Sequence, residues 1–274
     1  MHTCKNSGEQ QSTNPCAEYL FLDDTSCNLA SLNLLKFSDD KGTFDVESYR
    51  KAAEITSIAL DIANDAASYP IKDIAEISPE FRTIGLGYAN AGALLMRKGL
   101  AYDSEEGRAF MSGLTAILTG VSYETSSKLA EKMGVFTHFE FNKNSMREVM
   151  KRHRSGLENI VWEHVPEDIK REAYSAWNNV VEKSQTFGFR NAQATVIAPT
   201  GTISFLMGCD TTGIEPGLSL LIGKDLAGGG RVILVNNEVQ NALKNLGYNG
   251  KQIKEISDYV GEEVKKDEAG NSIF

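Results

Sequence analysis

The chain has 274 residues, of which 41% are hydrophobic and 24% charged, a balance that excludes a largely disordered protein. Its formal net charge of -9 disfavours a nucleic-acid polymer as partner, although a local pocket can still hold a small phosphorylated ligand. No apolar run approaches the roughly 18 residues of a membrane span, and the first residues lack an apolar signal core. A cytoplasmic protein without a membrane partner is therefore predicted.

The first 45 residues are predicted to form loops and short extended pieces. Within them, Cys27–Leu34 has apolar residues at positions 30, 32 and 34, which is typical of a strand with one buried face. From Val46 to about Ala67 the apolar residues recur at steps of three or four, which predicts a helix. Asp45 is its expected N-cap.

Glycine and proline determine the interpretation of the next segment. Pro70 and Pro79 predict that residues 70–83 form a loop. Residues 84–96 are rich in glycine and alanine and are interpreted as a helix that packs very close to its neighbours. The start of this segment, Gly85-Leu86-Gly87, is part of a nucleotide-loop pattern. Because no G-x-G-x-x-G follows a clear strand, close packing is the favoured explanation.

The remainder of the chain is predicted to be mainly helical, which places the protein in the α/β class. Asp103 is the expected N-cap of a long helix that ends near Met133, with Gly134 as its stop. Further helices are predicted at 143–155, from Pro166 to about Lys183, at 237–246 and at 251–264. Shorter features are a buried strand at Thr195-Val196-Ile197, a flexible turn at Gly228-Gly229-Gly230 and an apolar run at Val232–Val235.

Four cysteines are present, at positions 4, 16, 27 and 209. None forms a C-x-x-C pair or stands near a histidine at a zinc-like spacing, so no metal site is predicted. In the cytosol all four are expected to be reduced. For Cys4 and Cys209 the favoured interpretation is a small buried apolar residue.

Cys16 has a more suggestive setting, the segment Asn14-Pro15-Cys16-Ala17-Glu18. Alternate residues of an extended loop point the same way, so Asn14, Cys16 and Glu18 are expected to share one face. An amide, a thiol and a carboxylate would then surround one small substrate. Taken alone, this five-residue pattern is only moderately specific.

Larger blocks of the sequence resemble ribonucleotide reductases. Asn14–Tyr19 and Leu22–Leu34 are similar to the finger loop and following strand of that family, most closely of its adenosylcobalamin-dependent class. The other similar blocks follow in the family's order: Arg82–Asn90, Arg190–Gln193, Ala198–Ile203 and Gly208–Pro216. Ordered blocks of this kind are far more specific than one motif. The resemblance implies the helix-rich part of a ten-stranded α/β barrel over residues 1–264, with 265–274 as a polar tail.

The resemblance also implies roles for individual residues. Cys16 would carry a thiyl radical, Glu18 would accept the proton of the substrate 3′-hydroxyl, and Asn14 would hold the ribose hydroxyls. Cys27 corresponds to one cysteine of a redox pair that supplies two electrons by closing to a disulfide. The implied cofactor is adenosylcobalamin, and the implied reductant is an external dithiol of the thioredoxin type. The implied reaction converts a ribonucleoside di- or triphosphate to the deoxyribonucleotide needed for DNA synthesis.

A second candidate site is the segment Pro199-Thr200-Gly201-Thr202-Ile203-Ser204, which follows a predicted strand and precedes a predicted helix. Free backbone N–H groups and hydroxyls at such a position suit an anion. From sequence alone, an ordinary turn with a Ser/Thr cap is the favoured explanation of the same residues. The family resemblance implies the loop that binds the substrate phosphates, in which Gly201 lets the backbone approach the phosphate closely.

Three functions are compared. The resemblance covers nearly all of this chain, but the chain covers only part of the family's barrel, and the second redox cysteine is expected in the region it lacks. The first hypothesis is a reductase component that needs a partner chain with the N-terminal half. The alternative is a truncated, non-catalytic fragment. A cysteine hydrolase around Cys16 is weaker, because no motif sets a histidine beside it; the four histidines are His2, His138, His153 and His164.

Overall fold

A computed structural model describes residues 1–217, 219–225 and 231–266; the glycine run at 228–230 and residues 267–274 of the expected tail lie outside them. The strands are β1 (Asn28–Asn33), β2 (Ile84–Ala89), β3 (Leu221–Asp225) and β4 (Arg231–Val235). The helices are α1 (Val46–Ala66), α2 (Lys72–Phe81), α3 (Ala91–Lys98), α4 (Glu105–Met133), α5 (Phe139–Gly156), α6 (Glu167–Phe187), α7 (Gly201–Leu206), α8 (Glu238–Asn245) and α9 (Gly250–Lys266). The predicted α/β class is confirmed.

Three parallel extended segments position the candidate sites. β1 pairs with β2, with Asn28 opposite Ile84. Residues 193–196 run parallel to β2 along its other edge, where Ile84 N–H donates to Gln193 O at 2.9 Å and Val196 N–H donates to Leu86 O at 3.2 Å. The extended segment predicted at 195–197 therefore belongs to this arrangement, and the carboxyl ends of all three segments meet at one edge. β3 and β4 form a separate antiparallel pair.

Helices cover one face of the parallel segments. Ile84, Leu86 and Tyr88 are fully buried, and the hydroxyl of Tyr88 lies 2.8 Å from Thr115 Oγ1 on α4. α4 packs along α6 and α1, and α1 also contacts β1 and β2. The helices predicted from Asp103 onward are confirmed as α4, α5, α6, α8 and α9. Within the described residues, no helix is long and apolar enough to cross a membrane.

The helix predicted at 84–96 is wrong in its first half. Residues 84–89 form β2, which is buried at every position, and α3 begins only at Ala91. The small residues permit close packing, as expected, but between strands. A Cβ on Gly85 would lie 2.7 Å from Cys27 Sγ and 2.7 Å from Val196 Cγ2. Asn90 then turns the chain into α3 with a left-handed backbone, φ 69°.

Two predicted helix boundaries also need correction. The loop predicted at 70–83 is mostly α2, because Pro79 lies in its last turn and removes only one helical hydrogen bond. Arg82 ends this helix with φ 51°, and its N–H donates to Ser78 O at 2.9 Å. The N-cap of α4 is Ser104, not Asp103, since Ser104 Oγ accepts the Gly107 N–H at 3.0 Å. The N-cap Asp45 and the stop Gly134 are confirmed.

A buried carboxylate ties α4 to its neighbours. The side chain of Glu124 is 3% exposed and accepts from Arg50 Nη2 at 2.7 Å and from Lys183 Nζ at 3.2 Å. Lys128 Nζ lies 3.3 Å from the same group. Burial alone would raise the pKa of Glu124, but the hydrogen bond from Arg50 and the surrounding positive charges hold that pKa below its ordinary value.

A second buried cluster explains two of the sequence blocks. Arg82 Nε donates to Asp61 Oδ1 at 3.0 Å, and Asn191 Nδ2 donates to the same oxygen at 2.8 Å. Asn191 Nδ2 also donates to Arg82 O at 2.9 Å. These residues thus join α1 to the amino ends of β2 and of the segment 193–196. Their role in this structure is to hold the strands together.

Candidate functional site

The segment that carries Cys16 is a closed hairpin, here called the Cys16 loop (residues 13–20). Thr13 and Leu20 form an antiparallel bridge, and Asn14 N–H donates to Tyr19 O at 3.2 Å. Ala17 N–H donates to Asn14 O at 3.0 Å, and Ala17 has φ 61°. The chain therefore turns through Pro15 and Cys16, and the thiol of Cys16 is exposed at the tip.

This turn removes the geometric basis for one expectation. Side chains two residues apart point the same way only along extended backbone. The turn therefore gives no reason to expect Asn14, Cys16 and Glu18 on one face. Asn14 Oδ1 is turned back into the hairpin, where it accepts the Tyr19 N–H at 3.0 Å. Its Nδ2 group makes no hydrogen bond within the described residues and stays available to a ligand.

Cys27 directly precedes β1, and Glu18 lies near enough for its charge to act on the Cys27 thiol. Glu18 Oε2 is buried without a hydrogen-bond partner in the described part of the chain. Glu18 lines a cavity of about 270 Å³ together with Gln193 and Thr195. Burial raises the pKa of the Cys27 thiol to about 12, and the negative charge of Glu18 adds to that rise. Cys27 is therefore a protonated thiol at neutral pH.

Tyr19 anchors the Cys16 loop, a role that the sequence did not reveal. Its hydroxyl lies 2.9 Å from Thr25 Oγ1 and 3.0 Å from Thr83 Oγ1. Thr83 in turn donates to Ser26 O. Tyr19 is buried, which raises its pKa and keeps the hydroxyl protonated. The available signal was a tyrosine beside the motif, because a buried tyrosine hydroxyl requires a polar partner.

The second candidate site, Pro199–Ser204, follows the carboxyl end of the segment 193–196, as predicted, and leads into α7. Two of its amides are used internally: Gly201 N–H donates to Pro199 O at 2.8 Å, and Ile203 N–H donates to Thr200 O at 3.0 Å. The expectation of free N–H groups thus holds only in part. Thr202 is exposed, and its N–H makes no hydrogen bond within the described residues. A Cβ on Gly201 would meet nothing within 4 Å, so the space beside this residue is open.

The two candidate sites are attached to opposite ends of the parallel segments. The Cys16 loop is anchored at Thr25 and Thr83, before β1 and β2, whereas Pro199–Ser204 comes after the third segment. The structure therefore brings Glu18 close to Cys27 but fixes the Pro199–Ser204 segment independently of them.

The remaining cysteines, Cys4 and Cys209, are withdrawn from solvent to different degrees. Cys4 is fully buried and its pKa is raised to about 12 by that burial, which agrees with the predicted apolar role. Cys209 is half-buried, and burial followed by the charge of Asp210 raises its pKa to about 11. All four cysteines are free thiols. Among the residues described, no group of three or more His, Cys, Asp or Glu side chains is positioned to hold a metal ion.

The histidines have structural partners. His138 stacks on Phe81, and its Nε2 lies 2.6 Å from Glu80 Oε2. His153 stacks on Trp177, and burial lowers its pKa. His2 Nε2 contacts Gly8 O at 2.8 Å. These contacts give no support to a hydrolase in which a histidine activates Cys16.

The fold is thus an α/β arrangement. Its described parallel segments do not close into a barrel, and helices cover one of their faces. Residues 1–271 match the family described as "Ribonucleotide reductase, barrel domain", so the chain belongs to that family. This match confirms the family resemblance stated from the sequence and the assignment to the helix-rich part of its barrel.

Relatives extend well beyond this chain. A vitamin B12-dependent ribonucleotide reductase of Rhodopirellula baltica is 49% identical over 259 residues, which cover 94% of this chain and 25% of that protein. A similarly named protein of Bradyrhizobium diazoefficiens is 47% identical, over 94% of this chain and 22% of its own length. A vitamin B12-dependent ribonucleoside-diphosphate reductase of Thermoplasma acidophilum is 27% identical, over 96% of this chain and 30% of its own length. The chain therefore spans about a quarter of the length of these relatives.

Proposed function

We propose that this chain is the Cys16-bearing component of a ribonucleotide reductase that acts together with a partner chain carrying the rest of the barrel. The observation that carries the proposal is the Cys16 loop. It presents the Cys16 thiol at an exposed tip, two residues from Glu18, whose Oε2 is buried and has no partner in the described residues. A carboxylate oxygen left unpaired in this way is ready to accept a proton from a ligand.

The proposed chemistry assigns one task to each residue of the loop. Cys16 gives up the hydrogen atom of its S–H bond, and the resulting thiyl removes the 3′ hydrogen of the ribose. Glu18 accepts the 3′-hydroxyl proton as general base. Asn14 donates from its free Nδ2 group to a ribose hydroxyl, while its Oδ1 remains bound to the Tyr19 N–H.

Cys27 supplies part of the reducing power. Loss of the 2′-hydroxyl as water requires two electrons and two protons, which two thiols provide by forming one disulfide. Because the pKa of Cys27 is about 12, this residue enters the reaction with its proton in place. The second thiol belongs to the partner chain, and an external dithiol of the thioredoxin type restores both.

The substrate's phosphates are assigned to Pro199–Ser204. Gly201 leaves open space, and Thr202 offers an exposed N–H and hydroxyl at the start of α7. Thr200 Oγ1 is already held by the Gly213 N–H at 3.0 Å, so Thr200 shapes the segment more than it contacts the ligand. The substrate class is a ribonucleoside di- or triphosphate.

Adenosylcobalamin is the proposed cofactor, on the basis of the relatives' names. When bound, it supplies a carbon radical that accepts a hydrogen atom. The residue that fits this chemistry is Cys16, because its thiol is exposed at the hairpin tip. The burial of Cys4 and the half-burial of Cys27 and Cys209 suit them less well to meet a radical that arrives from outside.

The test is complementation. The chain is mixed with a second chain that carries the remaining length of a relative, a ribonucleotide, adenosylcobalamin and dithiothreitol, and deoxyribonucleotide is measured. We expect product with the wild-type chain and with Cys209→Ser, and at least a thousandfold less with Cys16→Ser. Product that persists in Cys16→Ser contradicts the radical role, and no product from any mixture contradicts complementation.

A non-catalytic fragment is the second candidate. Three parallel segments cannot close a barrel, which needs about eight or more strands, and the described part of the chain provides no further parallel strand. Failure of every complementation mixture, with the chain folded, is the outcome that favours this candidate.

A further inference from the structure

Two asparagines, the half-buried Asn33 and the buried Asn90, lie side by side where the parallel strands end. Asn33 is the last residue of β1, and Asn90 follows β2 directly. Asn90 Nδ2 donates to Asn33 Oδ1 at 2.8 Å, so the side chains join the two strand ends. Asn90 is fully buried, and its φ of 69° is a conformation that asparagine tolerates better than most residues.

The same pair holds the chain that follows the proposed phosphate segment. Asn90 Oδ1 accepts the N–H groups of Asp210 and Thr211 at 2.8 and 2.9 Å. The backbone N–H of Asn90 donates to Thr211 O at 3.1 Å. Asn33 Nδ2 donates to Met207 O at 3.2 Å, at the end of α7. Asn90 Oδ1 thus binds residues 210 and 211 directly, and Asn90 Nδ2 binds Asn33, which in turn binds Met207.

One further contact links this segment to Pro199–Ser204, the proposed phosphate-binding segment. Gly213, two residues beyond Thr211, donates its N–H to Thr200 Oγ1 at 3.0 Å. A Cβ on Gly213 would lie 2.7 Å from Ala198 O, so the two stretches are in close contact. The position of residues 207–213 consequently determines the position of Thr200.

We infer that the Asn33–Asn90 pair is a positioning device that fixes the conformation of residues 199–213, and through it the affinity for the substrate's phosphates. The part that concerns phosphates rests on the proposed function. Neither asparagine contacts the ligand. Both act through side-chain hydrogen bonds to the backbone. A glycine at position 90 has no side chain to make these bonds, whereas an aspartate can still accept but cannot donate.

The test compares three variants of the full chain. Asn90→Gly keeps the backbone free to adopt a positive φ but removes the side-chain acceptor. Asn90→Asp keeps an oxygen that accepts from Asp210 and Thr211. Asn142→Ala is the matched control, because Asn142 is also fully buried and hydrogen-bonded but contacts Ser7 and His138 instead.

Two measurements are made on each variant: hydrogen-exchange protection of the amides of residues 203–213, and the dissociation constant for inorganic pyrophosphate. In Asn90→Gly we expect protection at Asp210, Thr211 and Gly213 to fall about tenfold, as for loss of one buried acceptor, and pyrophosphate affinity to fall about tenfold. Asn90→Asp should restore most of both. Asn142→Ala should change neither, although it lowers overall stability.

The outcomes separate the inference from the proposed function. Unchanged protection in a folded Asn90→Gly chain overturns the inference, and so does lost protection with unchanged pyrophosphate affinity. If wild-type chain binds no pyrophosphate, the phosphate assignment fails, while the exchange data still decide whether the pair fixes the segment. Should Asn90→Gly not fold, Asn33→Ala is measured in its place; it removes the hydrogen bonds to Asn90, Met207 and Leu35. Lower protection of residues 207–213 together with weaker pyrophosphate binding is then expected, and unchanged protection there overturns the inference as well.

Discussion

Gly85 lies directly against the thiol of Cys27. A Cβ added to Gly85 would lie 2.7 Å from Cys27 Sγ and 2.5 Å from Leu29 Cδ2. The absence of a side chain on β2 thus provides the space that the Cys27 sulfur occupies.

Replacing Gly85 with alanine tests this relationship. Because the neighbours belong to packed strands, we expect Gly85→Ala to lower the free energy of unfolding by about 2 kcal/mol, as for an overpacked core site. Gly156→Ala is the control, since a Cβ there would meet nothing within 4 Å, and its effect should be within about 1 kcal/mol of zero. Urea unfolding followed by circular dichroism measures both. Equal effects at the two positions would argue against a filled space beside Gly85.

The cysteines should differ sharply in reactivity. Cys16 is exposed, whereas Cys4 is fully buried and the pKa values of Cys4 and Cys27 are about 12. At pH 8 we expect iodoacetamide to modify Cys16 at least a hundredfold faster than Cys4 or Cys27, because the thiolate is the reactive form. Peptide mass spectrometry after timed quenching gives the rates. In 6 M urea the three rates should converge, and rapid modification of Cys27 in the folded chain would contradict its placement.

The raised pKa of Cys27 has a consequence for stability at high pH. The unfolded thiol ionises near its ordinary pKa of 9.0, while the folded thiol holds its proton to about pH 12. The unfolded state therefore binds fewer protons in this window, and stability falls as pH rises from about 9 towards 12. Between pH 8 and pH 10 we expect the free energy of unfolding of Cys27→Ala to fall by about 1 kcal/mol less than that of wild type. Identical curves for wild type and Cys27→Ala would refute the prediction.

Glu124 is expected to contribute strongly to stability. Its buried carboxylate is the common partner of Arg50, Lys128 and Lys183, and removing its charge leaves Arg50 only half-compensated. We expect Glu124→Gln to lower the free energy of unfolding by about 3 kcal/mol at pH 7. Because the folded pKa is depressed, the contribution of Glu124 is present above its unfolded pKa and is lost as pH falls through the folded value.

The matched control is Glu148→Gln. Glu148 pairs with Arg152 on the exposed face of α5, and its side chain is 51% exposed. Such surface pairs contribute little, so a change below about 0.5 kcal/mol is expected. Thermal or urea unfolding at pH 7 and pH 4 compares the two variants. A similar small effect at both sites would mean that the Glu124 cluster is not coupled to folding.

Much of the helical architecture was predictable from the sequence, and the exceptions have a physical cause. The apolar spacing from Val46 onward and the N-cap Asp45 determine α1 locally. In contrast, β2 consists of residues that pack well in either a helix or a strand, and its identity is decided by pairing with two distant segments. Pro79 was misleading because its effect depends on position, and it falls where α2 is about to end.

The candidate site was predictable where a motif carried it and not where contacts did. Asn14, Cys16 and Glu18 follow from one short segment, although the turn at Ala17 reorients them. Asn33 and Asn90 stand 57 residues apart, so no local pattern indicates their hydrogen bond. Only the folded chain shows that Asn90, which follows a segment of small residues, joins several distant parts of the chain by hydrogen bonds.

The long sequence separations also determine the order in which this chain assembles. Asn33 and Asn90 are 57 residues apart, and Asn90 and Asp210 are 120 apart, so their contacts close long loops. Contacts of this kind form slowly, whereas the neighbouring helices α5 and α6 pack through a short connection. We therefore expect the helical layer around Trp177 to condense first. We expect the strand ends that hold residues 199–213 to become ordered last, so that hydrophobic collapse precedes the ordering of this segment.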